Sequence, residues 1–87
     1  MGRFTAGQFA RINKAALANA PVVFKSFNKR SLKRLEINRY NFRFHDKTNG
    51  KRGDNAISLT AYVLDLPKNE AARVVAQTLE AASKPGV

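Results

Sequence analysis

Apolar residues near the start of the chain recur at helical spacing: Phe9, Ile12, Ala16, Leu17 and Ala20 share one face, while Arg11, Lys14 and Ala18 lie on the other. That period predicts an amphipathic helix from about residue 6 to residue 19. Thr5 and Gln8, three apart, form a capping box in which each side chain satisfies a backbone N–H that has no helical partner. Pro21 stops the helix, since the residue before a proline is biased out of the α region. The β-branched and aromatic run over 22–27 predicts a short strand, followed by Asn28-Lys29-Arg30-Ser31 as a turn. Leu32 and Leu35, three apart, leave one helical turn over 31–35 as the alternative.

Between Leu35 and His45 the pattern changes to alternation. Leu35 and Ile37 face one way, and Tyr40, Phe42 and Phe44 alternate with Asn41, Arg43 and His45, so a strand is expected. The phase slips between Ile37 and Tyr40, which predicts a bulge near Asn38 and Arg39. Residues 46–55 read as a long, basic, mobile loop with Asn49-Gly50 as the hairpin signal. Residues 56–66 read as the returning strand, with Ile57, Leu59, Ala61 and Val63 opposite Ser58, Thr60, Tyr62 and Leu64. Asp65 and Pro67 introduce a last helix to about Ser83, whose inward stripe is Ala71, Val74, Val75, Leu79 and Ala82.

These elements predict one α+β domain over 1–87 in α-β-β-β-α order. A three-stranded antiparallel sheet with a long central hairpin would have both helices packed on one face, leaving the other open. The ordered core is expected over about 5–83, with the basic loop at 46–55 and a tail that frays over 84–87. Leu35, Ile37, Phe42 and Phe44 would supply the core. Arg34, Arg39 or Arg43 and neighbouring polar residues would line the open face, continuing into Lys47, Lys51 and Arg52.

Composition narrows the class. With 87 residues, 44% of them hydrophobic, the chain can build one modest core, and a domain of this size buries only about 60% of the surface its unfolded chain exposes. A homodimer would add stability, and Ala72, Ala76 and Ala81 on the last helix would allow close packing of a second copy. The absence of cysteine excludes disulfides, thiolate zinc sites and cysteine nucleophiles, and no secretory segment follows Met1, so an intracellular, cytoplasmic address is expected. The longest apolar stretches, 15–18 and 20–24, are far short of the ~20 residues a membrane span needs, so no membrane partner is expected.

Charge adds the functional signal. Sixteen Lys and Arg against six Asp and Glu give +10, and ten of those bases lie within residues 25–52 beside only Glu36 and Asp46, a local +8. Cations this one-sided gain by displacing counterions condensed on a polyanion, whereas a merely solubilising face is ordinarily mixed in sign. The candidate phosphate contacts are Lys29, Arg30, Lys33, Arg34, Arg39, Arg43, Lys47, Lys51 and Arg52, with Arg favoured for bidentate contact. Tyr40 joins them as the aromatic expected to be exposed and able to stack a base, while Phe42 and Phe44 are expected in the core.

No catalytic residue, metal site or cofactor is expected. His45 is the only histidine, and a solvated position at a strand end outweighs a general-base role assisted by Arg43 or Lys47. His45, Asp46 and Asp54 lack the paired spacing of metal ligands, and 49–53 lacks the strand-to-helix setting of a phosphate-binding glycine loop. The α-β-β-β-α order resembles the double-stranded RNA-binding domain, and Pro67-Lys68-Asn69-Glu70-Ala71-Ala72-Arg73 resembles the start of its final helix. That family has a lysine pair where Lys68 is followed here by Asn69 and Glu70. HicA-type toxins have a similar topology and a strand histidine, which His45 resembles, within a motif that does not match.

The reading that results is a small basic protein that binds nucleic acid, DNA ahead of RNA, through its phosphate backbone and with low sequence specificity. One alternative is an inhibitor or adaptor, of the kind phages and mobile elements use, docking on an acidic protein surface through anchors such as Tyr40, Phe27 or Leu64. Another is a ribonuclease toxin using His45.

Overall fold

The computed structural model describes residues 3–83, so the tail predicted to fray over 84–87 lies outside the described residues. Helix α1 (Ala6–Ala18) starts at the predicted capping box: the Gln8 N–H donates to the Thr5 hydroxyl at 3.2 Å and the Thr5 N–H to Gln8 Oε1 at 2.7 Å. Asn19 closes it ahead of Pro21. Proline does not lead into a strand here, however. It occupies the first turn of α2 (Ala20–Lys25), where its missing N–H costs nothing.

The strand expected over 22–27 is thus a helix, and tertiary burial overrides local propensity. Val23, Phe24 and Phe27 fall on one side of the helix and its end, and all three are buried. The segment read as a turn after it forms a short helix, α3 (Lys29–Leu32), capped by the Asn28 side chain accepting from the Arg30 N–H at 2.9 Å.

The long strand predicted over 35–45 is two short ones, β1 (Leu35–Ile37) and β2 (Phe44–Asp46), paired antiparallel with Leu35 opposite Asp46 and Ile37 opposite Phe44. The slip in alternation marks a reversal of the chain at 38–43 in place of a bulge. Asn49-Gly50 does turn the chain, with Gly50 at φ 75, but the strand it leads to is the two-residue β3 (Arg52–Gly53). The loop expected over 46–55 is therefore a tied turn and a strand. The sheet is antiparallel in the order β1-β2-β3.

Residues 56–66, expected as the returning strand, form α4 (Ala56–Leu64). In a run this apolar, alternation and helical spacing coincide: Ala56, Ile57, Leu59 and Thr60 are all buried. End chemistry decides between them. The Asn55 side chain accepts from the Ser58 N–H at 2.8 Å, and Asn13 of α1 accepts from the Ile57 N–H at 3.0 Å, so two orphan donors of the first turn are satisfied. Asp65, left-handed at φ 55, ends the helix. A short connection through Pro67 then brings α5 (Lys68–Ser83) back against α4.

The protein is α+β, but its order is α-α-α-β-β-β-α-α. One core joins Ala16, Val23, Phe24 and Phe27 to Leu35, Phe42 and Phe44 of the sheet region and to Ala56, Leu59 and Val75 of α4 and α5. Helix α4 packs on the sheet through Tyr62, whose ring lies 5.4 Å from that of Phe44, and the opposite face carries a groove lined by Glu36, His45 and Arg52. Ala72 is fully buried against Ile57 and Ala71, so the alanine surface expected to receive a second copy is partly internal. Leu17 departs from the predicted apolar face of α1 and is exposed. No helix among the described residues is long and apolar enough to cross a membrane.

Candidate nucleic-acid interface

The candidate residues are organised by the β1–β2 connection. Asn38 Oδ1 accepts from the Tyr40 N–H at 2.8 Å and Asn41 Oδ1 from the Arg43 N–H at 3.0 Å, two side-chain turns that fix the loop from within. Asn38 also bonds Arg43 and Phe42 through its backbone. Phe42 anchors the loop. It is fully buried in the left-handed region at φ 63, with its ring stacked 4.9 Å from that of Phe24. A bulky residue rarely adopts that conformation, and the burial of its ring holds it there. Tyr40, two residues earlier, is 89% exposed.

On one side of this loop lies an apolar groove of about 870 Å³, floored by Leu17, Ala18, Ala20, Pro21, Phe24 and Leu32. Lys25, Lys29, Lys33, Arg39 and Tyr40 complete its lining. The Arg39 guanidinium lies over the Phe24 ring, 4.9 Å from its centroid, a cation–π contact that holds the arginine at the floor. Among the described residues no carboxylate lines this groove.

On the other side lies the outer face of the sheet, a shallow groove that includes Asn38, Arg43, His45, Arg52, Glu36 and Asp54. Register sets Glu36, His45 and Arg52 in one row across the three strands. Glu36 stands 3.6 Å from His45 Nδ1 and 3.6 Å from Lys47 Nζ. Gly53 permits β3 to close on β2: a Cβ there would collide with the Phe44 ring and meet Ser58 Cβ at 3.1 Å.

Beneath this face the β2–β3 turn is tied to α4 through Asp46. Its carboxylate accepts from the Thr48 hydroxyl at 2.6 Å, the Thr48 N–H at 2.9 Å and the Tyr62 hydroxyl, and Asn49 donates to that same Tyr62 oxygen at 2.8 Å. The Thr48 hydroxyl, then the Tyr62 hydroxyl and the Thr48 amide, hold the Asp46 carboxyl at a pKa of about 2, below the usual 3.8 and against the effect of burial. Arg34, 3.5 Å away, lowers it further. Asp46 is thus a structural anion at the root of the turn.

The ten residues singled out in the sequence therefore divide. Lys29, Lys33, Arg39 and Tyr40 line the apolar groove, and Arg43 and Arg52 the sheet face. Arg30 is exposed on α3 and Lys51 on the β2–β3 turn. Arg34 and Lys47 are paired with Asp46 and Glu36. The remaining seven cations are exposed and make no ion pair among the described residues. Of Arg39 and Arg43, either of which could have lined the open sheet face, Arg43 does so, while the reversal at 38–43 carries Arg39 into the apolar groove; Arg34, ahead of β1, is paired with Asp46.

Sequence reasoning missed Lys25 and the floor residues Leu17 and Phe24. Reading 20–25 as a helix would have shown Phe24 and Lys25, since it brings them beside Pro21 on adjacent turns, whereas Leu17 joins them only through the packing of α1 on α2. Of the anchors considered for a protein partner, Phe27 is buried, while Tyr40 and Leu64 are exposed. No known protein family matches the chain, and neither a curated protein nor a solved structure matches it.

Proposed function

We propose that this protein binds nucleic acid through the basic surface that runs from α3 across the hairpin loop to the sheet face and the β2–β3 turn. DNA ranks ahead of RNA, and the contacts are to phosphate, so sequence specificity is low. The observation that carries this reading is the set of seven exposed cations without an ion pair among the described residues, gathered on elements adjoining one loop. A cation already paired gains little from a phosphate, because it must first surrender its carboxylate. An unpaired one releases a condensed counterion when it binds.

Helix α4 braces the sheet from behind through Tyr62 against Phe44 and Asp46, and the two side-chain turns at Asn38 and Asn41 fix the loop. Little ordering is then left to be done on binding. Fluorescence anisotropy with a labelled DNA duplex, titrated at increasing salt, tests the proposal. The logarithm of affinity should fall linearly with the logarithm of salt concentration, with a slope no steeper than about −6 if all seven cations meet phosphates at ~0.9 each. Absence of binding to duplex, single strand and RNA hairpin alike near physiological salt would overturn it and direct the search to an acidic protein partner.

A further inference from the structure

Phosphate contact alone does not account for the apolar groove beside the hairpin loop. Among the described residues the large hydrophobic side chains left exposed are Leu17, Tyr40 and Leu64, and the first two both line this groove. Exposed apolar surface and unpaired cations therefore coincide, with no carboxylate between them. We propose that the groove takes an unpaired nucleobase, stacked on Tyr40, with the adjoining phosphates on Lys25, Lys29 and Lys33. The preferred ligand is then a single-stranded segment, not an intact duplex. This inference rests on the nucleic-acid reading above and specifies its ligand.

A single strand presents what the groove needs: every base has a free π-face, and every linkage carries a negative charge. In a duplex those faces are hidden in the stack, and exposing one costs a few kcal/mol. The groove volume, about 870 Å³, lies within the ~300–1,000 Å³ typical of sites for small organic groups, a scale that suits a nucleotide. Arg39, held over Phe24, adds a flat cationic surface of the kind that stacks unpaired bases. Tyr40 is already presented outward by the Asn38 turn and the Phe42 anchor, so its backbone is ordered before the ligand arrives.

The experiment compares anisotropy of labelled oligodeoxythymidylate and oligouridylate single strands, each of about 12 nucleotides within the ~4–16 spanned by small single-strand sites, with a duplex of equal length. Wild type and Tyr40→Ala are measured in parallel, with tyrosine emission recorded in the same titrations. The expected result is tighter binding of single strand than of duplex by wild type. Tyr40→Ala should weaken single-strand binding roughly 5- to 150-fold, as loss of one base-stacking contact predicts, and weaken duplex binding by a much smaller factor. Quenching of tyrosine emission by the single strand should disappear in the variant, and Tyr40→Phe should keep the affinity. Because Tyr40 is 89% exposed, an unchanged melting temperature should accompany these effects.

The two single strands differ in the 2′-hydroxyl and in the C5 methyl of the base, so together they show whether the groove separates DNA from RNA. Wild type that binds duplex as well as single strand, with Tyr40→Ala lowering both equally or neither, overturns the groove and leaves the backbone reading standing. Wild type that binds none of the three, but binds an acidic peptide in a Tyr40-dependent way, overturns both and assigns the groove to a protein.

Discussion

Phe42 offers the sharpest test of how the hairpin loop is held. The ring is fully buried and stacks on Phe24, while the backbone beneath it is left-handed at φ 63. Truncation to alanine removes a buried phenyl ring, which costs about 3–5 kcal/mol in well-packed cores. The total stability of a domain this size is about 4–13 kcal/mol, from ~0.05–0.15 kcal/mol per residue, so Phe42→Ala consumes a large part of it. Phe42→Gly removes the same ring, but glycine occupies the left-handed region freely, whereas an L side chain there costs about 1–2 kcal/mol. Glycine's greater freedom in the unfolded chain returns about 0.4–1 kcal/mol of that difference.

The glycine variant should therefore equal or exceed the alanine variant by up to ~1.6 kcal/mol, reversing the usual order at ordinary positions. In thermal melts followed by circular dichroism, ~1 kcal/mol corresponds to about 4–8 °C for a domain of this size. Urea titration supplies the second measure, since a midpoint shift without a change of slope reports stability alone. An alanine variant that melts clearly above the glycine variant would refute the left-handed anchor. A loss below about 1 kcal/mol for Phe42→Ala would refute the burial that holds it.

Three other outcomes follow from the same geometry. Gly53→Ala drives a Cβ into the Phe44 ring and should destabilise by about 1–3 kcal/mol, visible as a lower melting temperature; an unchanged value would mean that the β2–β3 contact is looser than described. The Asp46 carboxyl has a folded-state pKa of about 2, below the unfolded 3.8, so the stability its ionised form contributes is fully present above about pH 5 and is lost as the pH falls toward 2. Melting temperature against pH should show that loss, and Asp46→Asn should flatten it. On duplex DNA, Arg43→Ala and Arg52→Ala should each make the salt slope about 0.9 shallower, whereas Arg34→Ala, whose cation is paired to Asp46, should change it less; equal effects at all three would argue against the division between free and paired cations.

What was legible in the sequence lay in local chemistry and in the buried aromatics. The Thr5–Gln8 box fixes the start of α1 through bonds only three residues apart, and the periodic stripe of α5 is long enough to exclude alternation. Phe42 and Phe44 went to the core and Tyr40 to solvent, and the α+β class was correct. Misreadings came where a short segment is apolar on several sides. Over 56–64 both periods fit, and the deciding bonds come from Asn55 at the boundary and from Asn13, which is distant in the chain. Over 22–27 the β-branched and aromatic residues suited a strand in isolation, yet Val23, Phe24 and Phe27 are buried on and just after a helix that starts at Ala20, with Phe24 stacked on Phe42.

The candidate site divides along the same line. The concentration of positive charge in residues 25–52 is legible before folding, because it depends only on the order of residues along the chain. Which cations are free and which are tied to Glu36 or Asp46 emerges with the fold, since those pairs depend on strand register and on the turn packed against Tyr62. The fold alone also placed Leu17, Phe24 and Tyr40 around one groove. Residues 17, 24 and 40 share no local period, and they converge because the reversal at 38–43 folds the hairpin loop back onto α2 through the Phe24–Phe42 stack.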